Sequence, residues 1–96
     1  MTTHTSWWVY LLRCDDNSLY AGVTTDIARR LHEHNTSKLG AKYTRARRPV
    51  TLAYQEKAEN RSDACSREYQ IRKLSKINKE KLINIYNNQD KSTIKP

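Results

Sequence analysis

Residues Val9–Asn35, VYLLRCDDNSLYAGVTTDIARRLHEHN, decide how this chain folds. Aromatic and β-branched residues run from Trp8 through Tyr10 and again from Leu19 to Thr25, and the turn formers Asp15, Asp16, Asn17 and Ser18 lie between them. Two such runs around a polar turn predict a β-hairpin. Thr25 or Asp26 can cap a helix beyond the second strand, with Ile27, Ala28, Leu31 and Asn35 on one side and an end near Asn35. At about 100° per residue, Arg30 and His34 fall at the edge of that stripe, while Arg29 and Glu33 point further away. Helical phase makes Arg30 the arginine that reaches the sheet and leaves Arg29 solvated beside Glu33.

Side chains alternate along a strand, so Tyr10 and Tyr20 face one way only if an odd number of residues, or a bulge, connects them. A three-residue loop, Asp15–Asn17, meets that condition. Tyr10, Tyr20, Gly22 and Thr24 then share a face, and Gly22 leaves space beside the phenols for a ligand or a backbone.

At these residues the chain resembles the GIY-YIG nucleases. Trp8-Val9-Tyr10 stands where that family's first tripeptide belongs, with Trp8 in place of its glycine, and Tyr20-Ala21-Gly22 stands where the second does. Arg30 and His34 follow at matching spacing. The likeness continues through Lys38-Leu39-Gly40-Ala41-Lys42-Tyr43-Thr44 and Arg47-Arg48-Pro49-Val50 into Arg67-Glu68-Tyr69, covering roughly Ser6 to Asn87. It is similar to the small, stand-alone bacterial YhbQ-like subgroup. The resemblance implies an α+β fold, a small three-stranded antiparallel sheet flanked by helices, and a metal-dependent endonuclease acting on DNA. It also implies that Glu68 is the metal-binding glutamate and that the segment after His34 lies next to the active site.

Ninety-six residues make one domain, expected over 6–88 between a disordered N-terminus, 1–5, and a flexible polar tail, 89–96. A chain this short buries only about 60–65% of its unfolded surface, so one modest core is expected. No apolar run approaches the ~18 residues of a membrane span, and Met1–Ser6 lacks the parts of a signal peptide, which predicts a cytoplasmic protein that avoids membranes. Cys14 and Cys65 have no metal-type spacing and are expected to be buried thiols. Two Trp and six Tyr with no Phe give every aromatic side chain a polar handle, and Trp7 and Trp8 are assigned to packing.

The net charge of +8, from 18 Lys and Arg against 10 Asp and Glu, favours polyanions as partners. Arg29, Arg30, Lys38, Lys42, Arg45, Arg47 and Arg48 crowd one stretch in which Glu33 is the single acid; a second basic zone runs from Arg67 to Lys81. Such zones serve either as a solvated surface or as a nucleic-acid footprint. Ser37–Arg48 is expected to be a loop pivoting at Gly40, able to track a phosphate backbone with salt-dependent affinity. Candidate substrate contacts are Gly22, Lys38, Lys42, Tyr43, Arg45, Arg47, Arg48 and Lys73.

Pro49 should start a third strand, Val50–Lys57, in which Val50, Leu52 and Tyr54 alternate with Thr51, Ala53 and Gln55. Asn60–Asp63 offers caps for a helix over Ser62–Leu74, with Ala64, Ile71 and Leu74 on its apolar arc. Glu68 falls inside that arc, where a carboxylate is costly unless paired or bound to a metal. An ion pair with Arg72 at i+4 and a metal site are both open for it. A cap at Ser75–Asn78 opens a third helix whose apolar face is Leu82, Ile83, Ile85 and Tyr86. There are no internal repeats, no phosphate-binding glycine loop and no paired His or Cys/His cluster, and His4 and His32 are assigned to the surface.

Phosphodiester hydrolysis needs an activated water, a group that stabilises charge on the phosphate and a cation for the leaving oxygen. Glu68 suffices for one hydrated Mg²⁺ or Mn²⁺, because such ions keep several waters. Arg30 offers a planar fork for phosphate oxygens. Tyr10 can act as general base, although a phenol near pKa ~10 needs help, which Tyr20 and His34 can supply. The sequence leaves open which phenol takes the proton.

The expected function is therefore a single-metal endonuclease with Tyr10, Tyr20, Arg30, His34 and Glu68 as its site. It would act on DNA in preference to RNA, select by nucleic-acid shape, serve repair or recombination, work as a monomer or weak homodimer and use no small-molecule cofactor. Two other readings compete: a non-catalytic DNA- or RNA-binding module of the same fold, and a subunit whose tyrosine face binds a protein.

Overall fold

The computed structural model describes residues 6–94, so the expected disorder of residues 1–5 lies outside it. The hairpin forms as β1 (Trp7–Arg13) and β2 (Leu19–Thr24). Cys14 N–H donates to Ser18 O (2.8 Å) and Asn17 N–H to Cys14 O (2.9 Å), while Asn17 takes φ 70°. This is a type I turn closed by one left-handed residue, a role asparagine tolerates well. The three-residue loop brings Tyr10 opposite Gly22 and Leu12 opposite Tyr20, so both tyrosines and Gly22 share a face as expected.

α1 (Ile27–Thr36) starts at Asp26, whose side chain accepts from Arg29 N–H. A short helix, α2 (Lys42–Arg45), breaks the segment expected to be all loop. Sequence could not show it, because Ala41 at its N-cap makes no side-chain cap and the turn is held by tertiary contact through Thr44, which is fully buried. Gly40 does not pivot. Its φ is not positive, and a Cβ there would meet Glu33 O at 2.8 Å, so it is the close approach of two backbones that requires glycine.

β3 (Thr51–Ala58) pairs antiparallel with β1, giving the strand order β2-β1-β3. The simple alternation expected along β3 fails at one place. Leu11 faces Tyr54 but Leu12 faces Leu52, so Ala53 is an extra residue in a bulge. Leu52 and Tyr54 therefore go to opposite faces. α3 (Arg61–Arg72) begins at Asn60, whose side chain accepts from Asp63 N–H. α4 (Lys76–Ile94) is longer than expected, its backbone continuing the helix beyond Gln89.

The sheet separates two packing layers. Odd positions of β1, Val9 and Leu11, join Tyr54, Ala64, Ile71 and Ile83 in an apolar core under α3 and α4. Even positions, Tyr10 and Leu12, join Cys14 and Val50, with Tyr20, Ile27, Leu31 and Leu52 around them, in a smaller layer under α1. Two expectations about burial are corrected. Cys65 is exposed, while Cys14 is buried, and Ile85 is 55% exposed because, among the described side chains of α4, it is Leu82, Ile83 and Tyr86 that turn to the sheet. Asn35 ties α1 to β3 by mimicking a backbone partner: its Nδ2 donates to Val50 O (2.9 Å) and its Oδ1 accepts from Val50 N–H (2.7 Å). Among the described residues no helix is long and apolar enough to cross a membrane.

Candidate active site

β2 is an edge strand, and along it the two faces of the sheet meet. A cleft of about 350 Å³ lies there, lined by Tyr10, Tyr20, Gly22 and Arg30 from the hairpin and α1, and by Glu68 and Arg72 from α3. Residues 58 positions apart in sequence, Tyr10 and Glu68, thus line one opening.

Tyr10 crosses the strand directly over Gly22, where an added Cβ would lie 2.5 Å from the phenol Cζ. The space expected to serve a ligand is filled by Tyr10 itself. Burial, reinforced by the neighbouring Tyr20, pushes the Tyr10 phenol up to about 12, so it is protonated at neutral pH. Its hydroxyl lies 2.9 Å from His34 Nε2. His34 is wholly buried, and desolvation together with the nearby Arg30 guanidinium lowers its imidazole to about 4. It is a neutral ring, and its Nδ1 lies 2.9 Å from Thr44 Oγ1.

Arg30 does reach the cleft, as helical phase predicted. Its Nη1 donates to Glu33 Oε1 (2.8 Å) and to Leu39 O (2.7 Å). Glu33 therefore does not point away with Arg29 but orients Arg30; Arg29 stays at 3.8 Å from Glu33 and is 58% exposed. Glu68 keeps its carboxylate by the first of the two routes left open, an ion pair with Arg72 Nε at 2.9 Å, while also lining the cleft. Its side chain is 18% exposed against 56% for Arg72, so the arginine can swing into solvent and release it.

The basic candidates divide. Tyr43 stacks on Tyr20, with ring centroids 5.9 Å apart and planes inclined by 23°, and the Arg47 guanidinium lies over the Tyr43 ring, 3.8 Å from its centroid. Arg47 is also paired with Asp16 at 3.0 Å, which ties the hairpin turn to the stack. Arg48 turns inward: Nε donates to His34 O (2.6 Å) and Nη2 to Ser37 O (2.6 Å), capping the C-terminus of α1. Lys38 is exposed ahead of α2, Lys42 and Arg45 are exposed within it, and Lys73 is exposed at the end of α3, its Nζ 5.4 Å from the Tyr69 ring. None of these four lines the cleft. Sequence reasoning missed Thr44; burial of a threonine in a basic segment leaves no local signal.

Among the described residues no three His, Cys, Asp or Glu side chains cluster as a cation cage. Glu68 is the carboxylate on the cleft wall. One carboxylate beside an open, water-accessible space fits a hydrated hard cation, which needs few protein ligands, and does not fit zinc or another ion wanting a closed set.

The family model described as the GIY-YIG catalytic domain matches residues 6–82. A UPF0213 protein of Desulfotalea psychrophila is 51% identical over 82 residues, 85% of this chain and 74% of that protein. A UPF0213 protein of Staphylococcus haemolyticus is 50% identical over 76 residues, 79% of this chain and 92% of that one. A solution NMR structure of an E. faecalis protein superposes with a TM-score of 0.59 at 42% identity, covering 91% of this chain and 92% of that chain. The solution NMR structure of a UPF0213 protein from Bacillus halodurans gives 0.54 at 40% identity, covering 83% and 84%.

Proposed function

This chain belongs to the GIY-YIG catalytic-domain family, and from that premise we propose that it is a single-metal endonuclease hydrolysing DNA phosphodiester bonds. The observation that carries this reading is the convergence of Tyr10, Tyr20, Arg30 and Glu68, from four separate elements, on one cleft at the sheet edge.

The chain's own groups divide the work. Arg30, held by Glu33 and Leu39, presents its remaining donors to a phosphate that enters the cleft; a planar fork suits the spread charge of the transition state. Glu68 holds the ion, Mg²⁺ or Mn²⁺, which when bound supplies charge neutralisation at the leaving oxygen. Tyr10 is the general base toward the attacking water. A phenol held near 12 is a poor base alone, but Tyr10 passes its own proton to His34 Nε2 as it receives one from water, so no isolated phenolate forms. The buried imidazolium that results is costly beside Arg30, and the anionic phosphate in the cleft offsets that cost. Tyr20, steadied by Tyr43, borders the same cleft and orients the water or the phosphate.

Because the cleft is an open sheet edge rather than a groove-filling helix, selection is by nucleic-acid shape: nicks, flaps and single strands, as arise in repair and recombination. The exposed Lys38, Lys42, Arg45 and Lys73, outside the cleft lining, supply salt-dependent contacts to DNA.

A second reading, a binding module without turnover, draws on the ion pairs that already occupy Glu68 and Arg30. Nicking of supercoiled plasmid and cleavage of branched and single-stranded DNA at low salt, with Mg²⁺, Mn²⁺ or chelator, decides between them. Metal-dependent cutting that Glu68→Ala and Arg30→Ala abolish, while DNA binding persists, supports the nuclease. Binding without cutting in the wild type supports the module.

A further inference from the structure

We propose that Thr44 is a positioning residue that, with the Ala41 carbonyl, holds His34 as its Nδ1–H tautomer and so leaves Nε2 as the proton acceptor for Tyr10. The catalytic half of this inference rests on the nuclease reading; the tautomer half stands on hydrogen-bond bookkeeping alone.

A threonine hydroxyl has one proton. Thr44 Oγ1 lies 2.9 Å from Ala41 O and 2.9 Å from His34 Nδ1, and the Thr44 and His34 side chains are both fully buried. A carbonyl only accepts, so the Thr44 proton goes to Ala41 O, and Thr44 Oγ1 must then accept from Nδ1–H. With Nδ1 protonated on a neutral ring, Nε2 carries a lone pair and accepts from the Tyr10 hydroxyl at 2.9 Å. Three short contacts become three directed bonds: Tyr10 O–H to Nε2, Nδ1–H to Thr44 Oγ1, and Thr44 O–H to Ala41 O.

The opposite tautomer satisfies fewer of them. With Nδ1 bare, the Thr44 proton can serve Nδ1 or Ala41 O but not both, and two acceptors face each other at 2.9 Å with no hydrogen between them. Its one gain is the Ala41 N–H donating to Nδ1, at a longer 3.3 Å. Losing a buried bond at 2.9 Å outweighs gaining a stretched one. The consequence is direction. In the Nδ1–H form His34 can receive the Tyr10 proton, and the resulting imidazolium keeps both N–H groups bonded; in the Nε2–H form it donates to Tyr10 and cannot act as its acceptor.

The direct test is long-range ¹H–¹⁵N correlation NMR of the histidine side chains in the full chain at neutral pH, which separates a protonated from a bare ring nitrogen. The wild type is expected to show His34 with Nδ1 protonated. Thr44→Val, which keeps the shape and removes the hydroxyl, is expected to move the proton to Nε2, and Thr44→Ser to restore Nδ1–H. Cleavage by Thr44→Val should fall about 100-fold in kcat, with KM for DNA unchanged, since general-base assistance is worth about that much, and Thr44→Ser should recover it. A wild-type signal from an Nε2–H ring overturns the proposal without any variant. So does an unchanged tautomer in Thr44→Val. If the tautomers behave as expected but the wild type never cleaves DNA, the catalytic half falls with the nuclease reading and the tautomer assignment stands.

Discussion

The two faces of one strand carry different burdens. On the odd side of β1, Val9 and Leu11 are fully buried among aliphatic neighbours from α3 and α4, with no hydrogen bond to satisfy. On the even side Tyr10 is almost as buried, yet its hydroxyl belongs to a polar chain through His34 and Thr44. The apolar face tolerates relaxation because dispersion and burial are non-directional. The polar face tolerates little, since a buried donor or acceptor that loses its partner costs its full desolvation. In a chain of 96 residues apolar burial stabilises one side while the other holds desolvated polar groups.

The largest test strikes the apolar face. Leu11→Ala should cost about 3–5 kcal/mol in urea unfolding, near the top of the range for a fully buried leucine, while cleavage per folded molecule stays close to wild type. A large activity loss in the molecules that remain folded would show that the two faces are coupled.

Arg30→Lys reverses the pattern. It keeps charge but loses the fork, and kcat/KM should drop about 100-fold, roughly 2.7 kcal/mol of transition-state stabilisation, with unfolding shifted far less. Equal losses in both assays would mean that Arg30 is structural, serving Glu33 and Leu39.

Gly22→Ala sits on the boundary. The added methyl meets the Tyr10 phenol, so overpacking of about 1–3 kcal/mol is expected together with loss of cleavage as Tyr10 is pushed off His34. Retained cleavage would remove Tyr10 from the mechanism.

Acid should separate the faces in the smallest and most graded way. His34 is lowered from 6.5 to about 4, so the unfolded chain takes up its proton first, and the stability His34 contributes is full above 6.5 and declines as pH falls toward 4. Glu80, held at about 2 by the two donors of Arg13, contributes stability above 4.5 that declines as pH falls toward 2. A pH series of urea midpoints in His34→Gln should lose the first window and keep the second. Loss of both windows would place the acid sensitivity elsewhere.

How much of this was legible before folding differs by residue. Helical phase singled out Arg30 over Arg29, and the parity of an odd loop put Tyr10 and Tyr20 on one face, because both rest on local geometry alone. Glu33 was misread for the same reason that Arg30 was read well: phase gives the direction of a Cα–Cβ bond, not the partner a flexible side chain then chooses. The Ala53 bulge was invisible because it is a property of the pairing with β1, not of β3 itself.

From its own residues and the likeness they carry, the sequence determined the hairpin and its turn, the segments in which α1 and α3 are capped, the three-stranded sheet and membership of the family, all set by short-range geometry or by motif. Only the tertiary structure decided that Gly22 houses Tyr10, that Arg48 and Asn35 tie down α1, that Glu68 reaches the cleft from the opposite face of the sheet and that Thr44 stands behind His34. Those contacts join residues far apart in the chain. Burial and unshared protons set them, and neither quantity exists until the two faces of the sheet are covered.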